Sequence, residues 1–217
     1  KIDKELPLEL MAPLGCGIQT GAAAVFNTLK VRAGTSIAIF GAGAVGLSSL
    51  MAAKISGCST IIAVDMFESR LQLAKELGAT HVVNAGTGKV LEEINTITGG
   101  GADFTVEATG IPAVMTQAIH ALGFNGATAL VGVAGSEAAV TFNPTLLQTK
   151  CLTINGSIMA GANTIPELFI QKLINFWQQG RFPFEKLVRF YEFEHINDAI
   201  HDAEDGSTIK PILRLPA

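Results

Sequence analysis

A chain of 217 residues with 48% hydrophobic and 16% charged residues can bury a full core, which excludes disorder as its main state. Its formal net charge of -4, without any basic run, leaves no source for the phosphate-neutralising surface that nucleic-acid binding needs. Mean hydropathy is +0.40, yet no run reaches the roughly 18 apolar residues of a membrane helix, so the surplus apolar surface should meet another domain or subunit.

In chain order, residues 6–31 carry a helix expected to begin near Thr20. From Thr35 onward short β-branched runs alternate with segments of helical period, the pattern of a parallel sheet covered on both faces. We therefore expect a doubly wound α/β domain. Its strands are expected over 36–40, 60–65, 81–84, 102–107, 128–133 and 152–156, and its helices over 45–55, 68–77, 89–98, 112–122 and 166–179. Gly57, Gly78, Gly123 and Gly180 are expected to close helices, where a left-handed residue is needed. A strand over 187–193, a helix over 196–204 and a terminal strand over 209–215 follow.

Cys16, Cys58 and Cys151 are scattered without CxxC spacing, which argues against a disulfide framework and fits a reducing cytoplasm. The chain opens Lys1-Ile2-Asp3 with no targeting signal and no initiator methionine, which points to a piece of a longer protein.

The sharpest motif is Gly41-Ala42-Gly43-Ala44-Val45-Gly46, lying between the first expected strand and the helix after it. Gly41 permits a tight turn, Gly43 lets backbone approach a pyrophosphate, and Gly46 lets helix and strand pack closely. The helix N-terminus at Ala44 and Val45 then offers free N–H groups and a positive dipole end to the anion. In a chain with 23 glycines the motif alone is weak; its context makes it specific. Asp65 ends the second strand about 20 residues on, placed to accept hydrogen bonds from the adenosine ribose. A 2′-phosphate there would meet a like charge, so NAD is favoured over NADP. Arg70 either touches the adenosine ribose or belongs to a solvated helix face.

The stretch Gly15-Cys16-Gly17-Ile18-Gln19-Thr20-Gly21, ahead of this loop, resembles the zinc-ligand segment of zinc-dependent medium-chain alcohol dehydrogenases. The likeness extends through Glu107-Ala108-Thr109-Gly110, Val131-Gly132-Val133, Gly156-Ser157-Ile158-Met159 and Gly206-Ser207-Thr208-Ile209-Lys210. The run from Gln179 to Leu187 is similar to aryl (benzyl) alcohol dehydrogenases.

The resemblance implies a six-stranded Rossmann sheet with short flanking segments from an absent N-terminal GroES-like catalytic domain. Residues 1–30 would be a leading segment and interdomain helix, 31–180 the NAD-binding domain, and 181–217 a segment returning toward the catalytic one. Cys16 would be one ligand of a catalytic Zn²⁺, with thiolate as the soft donor and three protein ligands leaving one position open. Thr20 would lie beside the nicotinamide. Thr109 would border the cofactor, backbone groups of Val131, Val133 and Ile158 would bond the carboxamide, and Lys210 would reach the pyrophosphate as a point charge.

The implied reaction is reversible oxidation of a primary, aromatic alcohol to the aldehyde by a homodimer or homotetramer in the cytoplasm. The other zinc ligands, on this reading, lie outside the chain, and the chain alone is expected to be inactive. A non-catalytic NAD-binding module and a zinc-free quinone reductase relative stay open as alternatives. His81, His120, His195 and His201 show no metal-ligand spacing and receive no role.

Overall fold

The computed structural model describes residues 2–161 and 164–216; Lys1, Ala162, Asn163 and Ala217 lie outside them. Its leading segment is α1 (Leu8–Met11), a short 3-10 turn and α2 (Gly17–Ala23), which continues into a π-helical turn over Ala24–Thr28. Then come β1 (Ser36–Phe40), α3 (Ala44–Ser56), β2 (Thr60–Asp65), α4 (Glu68–Leu77), β3 (His81–Asn84), α5 (Val90–Thr98) and β4 (Ala102–Glu107). The next elements are α6 (Pro112–His120), β5 (Leu122–Leu130), α7 (Pro144–Lys150), β6 (Thr153–Gly156) and α8 (Pro166–Gln178). The chain ends with β7 (Val188–Glu192), α9 (Ile196–Glu204) and β8 (Lys210–Arg214).

Strands β1 to β6 form one parallel sheet in the order β3-β2-β1-β4-β5-β6, the doubly wound Rossmann arrangement. Successive side chains of a strand point to opposite faces, and both faces here are apolar. Ile37, Ile39, Ile61 and Ala63 pack into one core with α2, α3 and α8. Ala38, Phe40, Ile62 and Val64 pack into the other with Val90 and Ile94 of α5 and Ala118 of α6. The strand order reverses between β1 and β4, so their C-terminal ends diverge and leave a crevice.

Strands β7 and β8 pair separately, in parallel. Arg214 on β8 ties this pair to α1 through two bonds to Glu9, Nε to Oε2 at 3.0 Å and Nη2 to Oε1 at 3.2 Å. No helix among the described residues is long and apolar enough to cross a membrane.

Three expectations need correction. Strand β5 runs Leu122–Leu130 instead of 128–133. Leu122 pairs Ala102 and Ala127 pairs Phe104, so the residues between form a bulge, with Asn125 at φ 58°. Gly123 therefore lies in a strand, and α6 ends on Ala121 in the right-handed region. At the far end, the carbonyl of Glu107 accepts N–H bonds from both Val131 (2.9 Å) and Gly132 (3.0 Å), which ends the ladder at Leu130. Finally, α7 was not anticipated, although Asn143 caps it by accepting from the Thr145 N–H at 2.9 Å and Pro144 opens it.

Candidate nucleotide-binding site

The phosphate loop sits at the C-terminal end of β1, where the crevice opens. Gly41 has φ 93°, a region that L side chains rarely adopt. A Cβ on Gly46 would lie 1.7 Å from the Gly41 carbonyl oxygen, so this glycine lets α3 start directly over β1. A Cβ on Gly43 would meet nothing within 4 Å. The glycine at 43 thus answers no need of the protein's own packing; it keeps open a space that a ligand can take. Gly43 is also the N-cap of α3 and offers no side chain, so the first N–H groups of that helix, at Ala44, Val45 and Gly46, are those that helix geometry leaves without an intrahelical partner beside this space.

Asp65 is 9% exposed at the end of β2. Its Oδ2 accepts from the Ala42 N–H at 2.6 Å and its Oδ1 from the Phe67 N–H at 2.9 Å. The carboxylate therefore fixes the phosphate loop as well as facing the crevice, a duty that its spacing alone did not reveal. Each oxygen keeps a second lone pair for a ribose hydroxyl.

Between these groups lies a cavity of about 380 Å³, a volume in the small-molecule range, walled by Gly41, Gly43, Asp65, Phe67, Arg70 and Thr109. Apolar Ile111 and Val114 complete a slot suited to a flat base. The Arg70 guanidinium stands 4.7 Å from the centroid of the Phe67 ring, and Nη2 donates to the Ala203 carbonyl of α9 at 3.4 Å. Its buried Nε has no partner among the described residues. Arg70 is thus placed in the cavity wall and not on a solvated helix face.

Val131, Val133 and Ile158 follow β5 and β6 on the same edge of the sheet. Val133 and Ile158 are 89% and 72% exposed, so this end of the sheet is open.

Helix α2 brings the remaining candidates to the loop. A Cβ on Gly21 would lie 1.9 Å from the Val45 carbonyl oxygen, and Ser49 Oγ donates to the Gly21 carbonyl at 2.9 Å, so α2 and α3 touch backbone to backbone. Gly21 was read only as part of a motif; its close approach is a contact between distant segments. Cys16 is exposed just ahead of α2, and Thr20, nearly buried, turns its hydroxyl back to the Cys16 carbonyl at 2.8 Å. Lys210 lines a separate cleft with Cys16, Pro13 and Pro211, and is not in the wall of the larger cavity. Burial pushes the Cys58 thiol pKa up, away from reactivity.

Among the described residues no group of three or more His, Cys, Asp or Glu side chains could hold a metal ion. Cys16 by itself does not make a zinc site.

The profile of the family described as "Zinc-binding dehydrogenase" matches residues 44–175. The chain is 39% identical over 214 residues to geraniol dehydrogenase of Castellaniella defragrans, covering 98% of this chain and 57% of that protein. Among solved structures it is similar to an alcohol dehydrogenase zinc-binding domain protein from Burkholderia ambifaria, with a TM-score of 0.96 and 52% identity. That likeness covers 100% of this chain and 58% of the other. Benzyl alcohol dehydrogenase from Acinetobacter calcoaceticus gives a TM-score of 0.96 and 47% identity, covering 100% and 59%. The chain thus spans somewhat more than half the length of these relatives.

Proposed function

The chain belongs to the zinc-binding dehydrogenase family, and from that premise we propose that it is the cofactor-binding portion of an NAD-dependent alcohol dehydrogenase. The proposed substrate is a primary, aromatic alcohol, oxidised reversibly to the aldehyde in the cytoplasm. The observation that carries the cofactor reading is the unfilled space at Gly43, bounded by the start of α3 and by Asp65. NAD supplies the hydride acceptor. The chain's own residues bind and orient: α3 receives the pyrophosphate at its N-terminus, and Asp65 receives ribose hydroxyls. The Phe67 and Ile111 walls hold the base, while backbone at Val131, Val133 and Ile158 presents the nicotinamide ring. Thr20 and Cys16 enter from α2 beside that ring. Lys210 adds a positive charge near Cys16.

Cys16 is offered as a single zinc ligand whose companions come from the part of the relatives that this chain does not cover. In the same proposal residues 1–30 form the junction with that part, residues 31–180 bind NAD, and residues 181–217 return toward the junction. The second reading, a non-catalytic NAD-binding module, is favoured for the chain by itself, because no group of donors among the described residues assembles a metal site.

The test is selectivity. NAD should bind more tightly than NADP, since charge-assisted bonds to Asp65 are worth roughly 1.5 to 3 kcal/mol. Asp65→Asn should weaken NAD about 10-fold or more and bring the two affinities together. Equal affinities in the wild type, or an unchanged preference in the variant, would remove Asp65 from this role.

Strand β6 is one of the two edges of the six-stranded sheet, β3 being the other, and an unpaired edge invites a partner strand. We place a two-fold interface at β6, making one sheet continuous across a homodimer that can pair again into a tetramer. Ile154→Pro should then give monomer or aggregate in light scattering. A variant dimerising like the wild type would put the interface elsewhere.

A further inference from the structure

Glu107 ends β4 and is 0% exposed, yet among the described residues no Lys, Arg or His forms an ion pair with it. A buried carboxylate without a cation is costly unless other donors satisfy it. Here the donors come from the next three residues. Oε1 accepts the Thr109 N–H at 2.6 Å, the Thr109 hydroxyl, and the Gly110 N–H at 3.0 Å. The backbone carbonyl of the same residue takes the N–H groups of Val131 and Gly132.

Thr109 is in the wall of the cavity, and Val131 and Gly132 open the segment that leads to the exposed Val133. Thr109 presses on the phosphate loop, its Cγ2 lying 2.9 Å from where a Gly41 Cβ would be. Gly110 and Gly132 touch directly: a Cβ on Gly132 would fall 2.0 Å from the Gly110 nitrogen and 2.7 Å from Glu107 Oε2. A Cβ on Gly110 would fall 2.5 Å from the Val133 carbonyl oxygen. One residue therefore sets the position of the adenosine wall by its side chain and of the 131–133 segment by its main chain.

We propose that Glu107 is a positioning residue that sets the spacing between the two halves of the nucleotide cleft at the switch point between β1 and β4. It touches neither cofactor nor substrate, and it acts through Thr109, Gly110, Val131 and Gly132. The proposal rests on the NAD reading above. Loss of the charge should loosen the 108–110 turn under Gly41, so that bound nucleotide loses a wall while both cores stay packed.

The experiment is fluorescence titration of NADH into the complete protein, with melting temperature measured alongside. Glu107→Gln keeps the volume and one acceptor but loses the charge, and should weaken NADH about 10-fold at temperatures where the variant is fully folded. Thr109→Val removes the hydroxyl, which donates to Glu107 and accepts from the Ile111 N–H at 3.1 Å, and should weaken NADH about 3-fold; Thr109→Ser, which restores both bonds, should recover wild-type affinity. A purely packing role would lower the melting temperature of these variants and leave the affinity of the folded protein unchanged. If Glu107→Gln does not fold, the Thr109 pair decides. Folded Glu107→Gln, or Thr109→Val, binding NADH like the wild type overturns the positioning role alone. A wild type that does not bind NADH overturns the NAD reading and this proposal with it.

Discussion

Replacing Gly43 by alanine is expected to leave the fold intact while weakening NADH binding by about 100-fold, roughly 2.7 kcal/mol. The residue has φ -80° and ψ -169°, extended backbone that alanine adopts freely, and its added methyl would meet no protein atom within 4 Å. Stability should therefore match the wild type or rise slightly, since alanine has less freedom to lose than glycine. The methyl would instead occupy the space over the α3 N-terminus where the pyrophosphate is proposed to sit. Gly46→Ala is the contrasting case. Its methyl would fall 1.7 Å from the Gly41 carbonyl oxygen, so α3 must lift from β1. Overpacking against backbone of this kind costs about 1 to 3 kcal/mol or more. Melting curves and NADH titrations should separate the pair: one folded and unable to bind, the other impaired in both. A Gly43→Ala protein that binds NADH within 2-fold or so of the wild type would mean that the open space is not the phosphate site.

How much of this was legible beforehand depends on whether a contact is local in sequence. The first four strands were legible to the residue, because each is a short run bounded by turn residues, with β1 and β2 apolar and buried on both faces. The turn over 41–46 and the place of Asp65 at a strand end were also legible, being consecutive pieces of one βαβ unit. The start of β5 was not: Gly123 is expected to close a helix, and only pairing with β4 makes the residues from Leu122 to Ala127 a bulged strand. The donors to the Glu107 side chain, at Thr109 and Gly110, are local, but its contacts with Val131 and Gly132 are made through the fold and not through spacing. The contact of Gly21 with Val45 is of the same kind. The helix at Pro144–Lys150 was the opposite failure, a local signal at Asn143-Pro144 that went unread.

The second large effect concerns the 217-residue chain expressed by itself. It should fold, because the central strands β1, β2 and β4 bury both faces under the chain's own helices, and it should bind NADH. It should show neither stoichiometric zinc after dialysis nor alcohol-dependent reduction of NAD. Cys16 supplies one donor, whereas a catalytic zinc site takes three protein ligands, and each missing ligand removes a large part of the binding free energy. Retained zinc or turnover would mean that donors come from residues given no role here. The claim on which all of this rests is that the crevice at Gly43 and Asp65 is a dinucleotide site, and calorimetric titration of NADH into the 217-residue chain tests it most directly. The account predicts saturable binding at one NADH per chain, tighter than NADPH; no saturable binding, or binding that survives Gly43→Ala unchanged, would contradict it.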